Sequence, residues 1–173
     1  MPFFIQKCLL FSILVTFWGS LSVAHAAPNQ VAEAKAGFIV QYSQYVRWPN
    51  ASRIKPFTIC SVGSNDVSDA LVKQLQKNKP MFNGHPIQYL QLFNQVADKN
   101  CHLIYFANQQ KPRAGRTGRA ILTVSDAPGF SQVGMIEISQ QQNKLVTIIN
   151  QALLQQNNLQ ASALLLQVAE IKH

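Results

Sequence analysis

Two cysteines, Cys60 and Cys101, carry the strongest chemical signal in the chain. A bond between them would close a loop of 42 residues (60 through 101). Such a bond would stabilise the fold by about 4 kcal/mol, because it restricts the unfolded chain. There is a geometric objection. In parallel strands of matching register, Cys60 falls mid-strand and Cys101 at a strand start, an offset that could exceed the limit of ~7 Å between bridged Cα atoms. We expect the two residues to pair, and a reversible, redox-sensitive pair is the alternative.

The residues Ser125 and Asp126, together with His85 or His102, invite a hydrolase interpretation. The sequence around Ser125 lacks the Gly-x-Ser-x-Gly elbow that exposes a nucleophile at a strand-to-helix turn. Ala-Pro-Gly follows instead, which is typical of a loop whose first side chains bond nearby backbone. We therefore expect no catalytic residue here.

Two further motifs fall short of a ligand-binding pattern. Cys101-His102, with Asp98 upstream, could form one corner of a metal site, but zinc sites need three or four ligands with paired spacing and no second pair follows residue 26. The run 62–65, Val-Gly-Ser-Asn, has one glycine and favours a strand-to-helix turn with an N-cap over a phosphate loop. We expect His102 to be hydrogen-bonded, and we predict neither metal nor cofactor.

A basic connection at 111–119 holds three arginines among glycines: Arg113, Arg116 and Arg119. Guanidinium groups on a flexible loop can bind phosphate or carboxylate through paired hydrogen bonds. Charge runs in surface loops are also commonly just solvated. The three arginines are therefore candidates for anion binding.

The first 26 residues have the pattern of a secretory signal peptide. Lys7 supplies a positive charge, residues 8–23 are a continuous apolar core, and residues 24–26 form a small-x-small cleavage box. We expect cleavage after Ala26, with a retained membrane anchor as the alternative. Cleavage would place the mature chain in an oxidising compartment, where two free thiols are a liability.

The mature chain, residues 27–173, has the size of one ordinary domain. Its 14 basic and 7 acidic residues give a net charge of +7. Since an exported protein rarely meets nucleic acid, this balance favours an anionic envelope surface or an acidic partner.

The apolar periodicity predicts an α/β domain with a central mixed sheet of about six strands flanked by helices. The predicted helices are 31–48, which Pro49 stops, a second after Ser64 or Asn65 that ends by Pro80, and two short ones within 151–172 broken near 155–158. The predicted strands are 56–62, 86–90, 101–106 and 121–124, with 133–139 and 144–149 paired as an antiparallel hairpin across the polar residues 140–143. Glu137 points away from the core if its strand is half exposed.

In order and spacing, several segments of the mature chain resemble those of the YfiR-like family, periplasmic regulators that repress membrane-bound diguanylate cyclases. These segments, spread over almost the whole mature chain, are Lys35-Ala-Gly-Phe with Tyr45-Val-Arg-Trp-Pro49, Phe57-Thr-Ile-Cys-Ser-Val-Gly63, Gly84-His-Pro-Ile87, Cys101-His-Leu-Ile-Tyr-Phe106, Leu122-Thr-Val-Ser-Asp with Gly129-Phe130, Gly134-Met-Ile136, Ile149-Asn150, and Leu164-Leu-Leu with Ala169.

The resemblance implies a periplasmic domain, commonly a homodimer, without a catalytic centre. It implies that the domain binds the periplasmic part of an inner-membrane diguanylate cyclase and holds it inactive, which lowers cyclic di-GMP and biofilm formation. Redox change or capture by an outer-membrane lipoprotein would release the cyclase. Cys60 and Cys101 occupy the positions of a family cysteine pair. Some members carry a second pair near residues 126–137, and this chain has none there.

A repressor that acts by contact needs an exposed apolar patch. The amphipathic pattern leaves five candidates for partner binding, which are Tyr42, Tyr45, Trp48, Leu164 and Val168. Ordinary core packing is the alternative for each of them. The other functional hypothesis is a solute-sensing or envelope-binding domain, in which a pocket or the arginine connection holds a small anionic or aromatic ligand.

Overall fold

A computed structural model of the chain describes residues 28–93, 100–107 and 120–172. The predicted signal peptide therefore lies outside the described residues. The helices described are α1 (Pro28–Tyr45), α2 (Asp66–Asn78), α3 (Gln151–Gln156) and α4 (Ala163–Val168). The strands described are β1 (Val46–Arg47), β2 (Thr58–Val62), β3 (Met81–Phe82), β4 (His85–Pro86), β5 (Gln88–Leu92), β6 (Leu103–Phe106), β7 (Leu122–Ser125), β8 (Ile136–Gln141), β9 (Lys144–Asn150), β10 (Gln160–Ala161) and β11 (Glu170–Lys172). None of these helices is long and apolar enough to cross a membrane.

The described residues build a seven-stranded sheet in the order β11-β9-β8-β7-β6-β2-β5. All neighbours in it are parallel except β8 and β9, which form the predicted antiparallel hairpin. Two small antiparallel pairs, β1 with β10 and β3 with β4, lie beside it. The α/β class and the mixed sheet are confirmed, with seven strands rather than about six.

Local sequence signals place the turns where the pattern predicts them. Asn65 caps α2, since its side chain accepts a hydrogen bond from the Ser68 backbone at 3.0 Å and its own backbone donates to Ser68 Oγ at 2.9 Å. The hairpin turn is shorter than expected. Gln142 and Asn143 both have positive φ, as a two-residue turn that follows the strand twist requires.

The two chain ends depart from the predicted helices. The first helix ends at Tyr45 rather than residue 48, because β1 pairs with β10, more than a hundred residues away in sequence. The last three described residues form β11 instead of continuing a helix, because Ile171 pairs beside Ile149 of β9. In both places a distant strand overrides a local helical pattern.

Helices cover one face of the sheet. Leu103 of β6, Leu122 of β7 and Ile136 of β8 pack on this face in one apolar cluster that includes α1 and α2 residues. The opposite face carries a smaller cluster, whose buried members are Cys60, Val62, Cys101, Ile104, Phe106 and Phe130. The strands β2, β6 and β7 are buried on both faces. The sequence of β6 is accordingly an apolar run, whereas β2 and β7 carry buried serine and threonine among their apolar residues.

The Cys60–Cys101 disulfide is present, with 5.8 Å between the Cα atoms. The geometric objection to it fails because Cys101 does not continue the line of β6. The chain bends at His102, and β5 and β6 lie on opposite sides of β2. Cys101 packs together with Cys60 in the cluster on one face of β2.

We expect the double variant Cys60→Ala/Cys101→Ala to unfold with a free energy lower by about 4 kcal/mol, because its unfolded chain regains the entropy of the open loop. Urea denaturation followed by circular dichroism measures the change. Wild type denatured with a thiol reductant is the control and should approach the variant. An unchanged free energy of unfolding in the variant would contradict the prediction.

Candidate functional site

An apolar groove brings together four of the five residues predicted to bind a partner. Its volume is about 230 Å³, and it lies between α1 and α4 above β9. The residues that line it are Phe38, Gln41, Tyr42, Tyr45, Thr147, Leu164, Leu165 and Val168. None of these side chains is charged, so the groove suits apolar side chains of another molecule.

The α4 wall of the groove is set by a capped helix turn. Ser162 Oγ accepts a hydrogen bond from the Leu165 backbone at 3.2 Å, which starts the helix. Leu165 then faces the core with 4% exposure, while Leu164 and Val168, one turn apart, face outward with 55% and 71%. These two side chains are exposed apolar surface at the mouth of the groove.

The α1 wall is formed by Phe38, Tyr42 and Tyr45, at the spacing of one helix face. Tyr42 is buried, and its hydroxyl shares a 2.8 Å hydrogen bond with Thr147 Oγ1 of β9. Burial raises the pKa of Tyr42, so the hydroxyl stays protonated. Helical spacing from Tyr42 could have identified Phe38. No sequence pattern identifies Thr147, because β9 comes next to α1 only in the folded protein.

Two predicted contact residues are not exposed. Tyr42 forms the floor of the groove, while Phe38 and Tyr45 of α1 are partly open to solvent. Trp48 lies in the core at 6% exposure, edge-on to Phe57 with ring centroids 4.9 Å apart. The expectation that Trp48 offers an exposed surface is wrong, because its ring packs between those of Phe57 and Phe82. The Nε1 atom of Trp48 is buried and has no hydrogen-bond partner among the residues that the structure describes.

The arginines Arg113, Arg116 and Arg119 lie outside the described residues. Their proposed role in anion binding therefore stays a prediction.

Ser125 and Asp126 have structural partners. Ser125 Oγ donates to the Phe106 carbonyl at 2.7 Å and accepts from the Ala127 backbone at 3.1 Å, as expected of a loop opener. Asp126 forms an ion pair with Lys35 at 2.8 Å and accepts a 2.6 Å hydrogen bond from the Tyr105 hydroxyl. The predicted loop at the carboxyl end of β7 is thus tied to α1 and β6.

His102, one of the two histidines that a hydrolase could use, is far from Ser125. His102 precedes β6, whereas Ser125 ends the neighbouring parallel strand β7, in which Leu122 pairs with Leu103. At ~3.3 Å per residue, this register separates the two residues by about 13 Å along the strands. His102 Nδ1 instead accepts a hydrogen bond from the Thr58 backbone at 3.1 Å. Within the described ranges, no group of three metal-ligating side chains comes together.

The comparison with protein families identifies the chain. The model of the DUF4154 family, described as YfiR/HmsC-like, matches residues 32–170, from the first turn of α1 to the start of β11. The chain belongs to the YfiR/HmsC-like family. No curated protein matches the chain at a significant level. Members of this family are periplasmic regulators rather than enzymes, and the disulfide fits that compartment.

In this YfiR/HmsC-like chain, a buried carboxylate fixes the segment that leads from β7 to β8. Glu137 accepts hydrogen bonds from the Gly129 and Ser131 backbones at 3.0 and 2.9 Å. The Asn150 side chain donates to the Ser131 carbonyl at 2.9 Å. Glu137 does point away from the helix-covered face, but at 5% exposure it is buried under the segment it holds. The apolar periodicity of the sequence predicts which way the Glu137 side chain points. It does not predict that the carboxylate accepts hydrogen bonds from the backbone.

The same segment depends on a glycine. A Cβ atom built at Gly134 would lie 2.0 Å from the ring of Phe130, so no other residue fits without moving that ring. Phe130 is one of the buried residues that cover Cys60 and Phe106. Gly134 therefore lets the segment close over the disulfide face.

We expect Glu137→Gln to lower the free energy of unfolding by about 1–3 kcal/mol. A glutamine keeps the volume but has one acceptor oxygen for two backbone donors, and its amide group then faces an N–H. Urea denaturation measures the loss. Glu170→Gln, which removes an exposed carboxylate of β11, is the matched control and should change little. Equal behaviour of the two variants would contradict the role of Glu137.

The surroundings of His102 predict a pH dependence of stability. Burial lowers the pKa of His102 below its ordinary 6.5, so the unfolded chain takes up a proton before the folded one as the pH falls. The free energy of unfolding should therefore decrease as the pH drops below about 6.5. His102→Asn keeps an acceptor for the Thr58 backbone and does not titrate. A pH series of urea denaturation should give a flatter slope for this variant, and parallel slopes would refute the assignment.

Proposed function

We propose that this protein is a periplasmic repressor that binds the periplasmic part of an inner-membrane diguanylate cyclase through the groove between α1 and α4. Contact there keeps the cyclase inactive and lowers cyclic di-GMP. The single observation that carries the proposal is the exposure of Leu164 and Val168 beside an uncharged groove in a chain of this regulatory family.

The chemistry of the groove supports recognition of a protein. Exposed apolar side chains beside a concave, largely apolar surface are typical of protein contact sites, where one or two buried anchors supply most of the binding energy. The groove is small, so it suits one or two large apolar side chains of the partner rather than a whole helix. The Tyr42–Thr147 hydrogen bond leaves its floor without an unpaired hydroxyl.

The positions of the polar residues also support a binding role. Among the described residues, Ser125 and His102 lie at opposite ends of parallel strands, and Asp126 is engaged by Lys35 and Tyr105. Ser125 and Asp126 stabilise the fold around the carboxyl ends of the strands, whereas His102 does so at the amino ends. The homodimer and the outer-membrane lipoprotein that would capture the repressor stay predictions.

The experiment is affinity capture of the tagged mature protein from envelope extracts, combined with measurement of cellular cyclic di-GMP. We expect a membrane cyclase in the eluate, and we expect deletion of the gene to raise cyclic di-GMP and surface attachment. An eluate with only small molecules or peptidoglycan fragments, or a deletion strain with unchanged cyclic di-GMP, would overturn the proposal.

The double variant Leu164→Ser/Val168→Ser tests the groove itself. Both side chains are exposed, so the fold should persist while the cyclase is lost from the eluate and cyclic di-GMP rises to the level of the deletion strain. Val133→Ser is the matched control, since Val133 is an apolar side chain at 41% exposure outside the groove. If the double variant captures the cyclase as well as wild type does, the groove is not the contact site.

A further inference from the structure

A second cavity, unlike the apolar groove, lies at the amino ends of β2, β5 and β6. Its volume is about 530 Å³, within the range of small-molecule sites. One side is the connection from β1 to β2, and the other is the chain that enters β6. The residues that line it are Pro49, Asn50, Arg53, Ile54, Lys55, Pro56, Thr58, Gln88, Asn100 and His102.

The backbone of the connection is held in a fixed shape. Residues Ala51–Arg53 form a turn of 3₁₀ helix, in which the Arg53 backbone donates to the Asn50 carbonyl at 2.9 Å. The Asn83 side chain donates to the Ala51 carbonyl at 2.6 Å and joins this turn to the neighbouring hairpin. The wall of the cavity is therefore formed before any ligand arrives.

The cavity is electropositive. Arg53 and Lys55 both line it, and none of the described lining residues is an aspartate or a glutamate. Neither cation has an ion-pair partner in the described part of the chain, whose ion pair between Lys35 and Asp126 lies at the opposite ends of the strands. Two cations on one concave surface, with no carboxylate among the described residues around them, attract an anion.

The third polar group is His102, whose orientation is fixed. Its ring stacks on Phe57 with centroids 5.1 Å apart, and its Nδ1 accepts the hydrogen bond from the Thr58 backbone. In the neutral ring the proton must then lie on Nε2. The cavity lining thus offers hydrogen-bond donors from a guanidinium, an ammonium and an imidazole N–H.

We propose that this cavity binds a small molecule through a phosphate or carboxylate group held by Arg53, Lys55 and His102. The planar guanidinium matches the two oxygens of either group, and the ammonium adds a point charge. Gln88 and the exposed polar residues at the rim would contact the remainder of the ligand. The site is separate from the apolar groove, so its occupant is distinct from the cyclase contact.

The test is titration of the mature protein with inorganic phosphate and, separately, with succinate, at constant ionic strength maintained by sodium chloride. Chemical shifts in nuclear magnetic resonance spectra measure binding. We expect saturable shifts with at least one probe, and the stronger of the two identifies the chemical group. The absence of saturable shifts with both probes would overturn the proposal.

The variant Arg53→Gln/Lys55→Gln should raise the dissociation constant about tenfold or more, because each charge-assisted hydrogen bond contributes at least that factor. Both side chains are exposed, and an unchanged circular dichroism spectrum without ligand checks the fold. Lys144→Gln, at the exposed β8–β9 hairpin, is the control for loss of a positive charge and should bind as wild type does. Equal affinities of the double variant and wild type would place the anion elsewhere. Neither result depends on capture of the cyclase, so the two proposals fail separately.

Discussion

Parallel strands must be covered on both faces, and this requirement shapes the whole molecule. On one face α1 and α2 supply the cover, as in ordinary α/β proteins. The other face of β2 and β6 is covered in part by Cys101 and by the 3₁₀ turn that contains Phe130, with no α-helix residue in the described cluster. Short segments bury little area on their own, so they need fixed attachment points. The disulfide at Cys101 and the carboxylate of Glu137 provide two of them.

The elements that the sequence predicts well are those decided by neighbouring residues. The cap at Asn65, the apolar run of β6 and the β8–β9 hairpin all follow from local chemistry. The errors occur where pairing with a strand distant in sequence determines the secondary structure. Residues 46–47 fit a helix until β10 pairs with them, and Ile171 continues a leucine-rich helical spacing until β9 accepts it as a neighbour. One sequence contains no record of such long-range pairings.

The same distinction applies to the candidate site. The aromatic face of α1 and the apolar face of α4 are readable from helical spacing, and the fold does place them against each other. Helical spacing does not show which of the predicted contact residues are exposed. Tyr42 is buried against β9, where it bonds to Thr147, and Trp48 is buried against Phe82, which is remote in sequence. The sequence did not predict the basic cavity for a similar reason. His102 comes beside Arg53 and Lys55 only because β6 pairs with β2.

The burial of the disulfide has a consequence for its chemistry. Cys60 and Cys101 are 0% and 3% exposed, and exchange requires a thiolate to reach one of the sulfur atoms. A reducing enzyme therefore has no access to this bond while the sheet is closed. Its oxidation state is decided during folding, when the chain is still open. Whether the bond is present therefore depends on the conditions under which each molecule folded. It does not respond to the redox conditions around the folded protein.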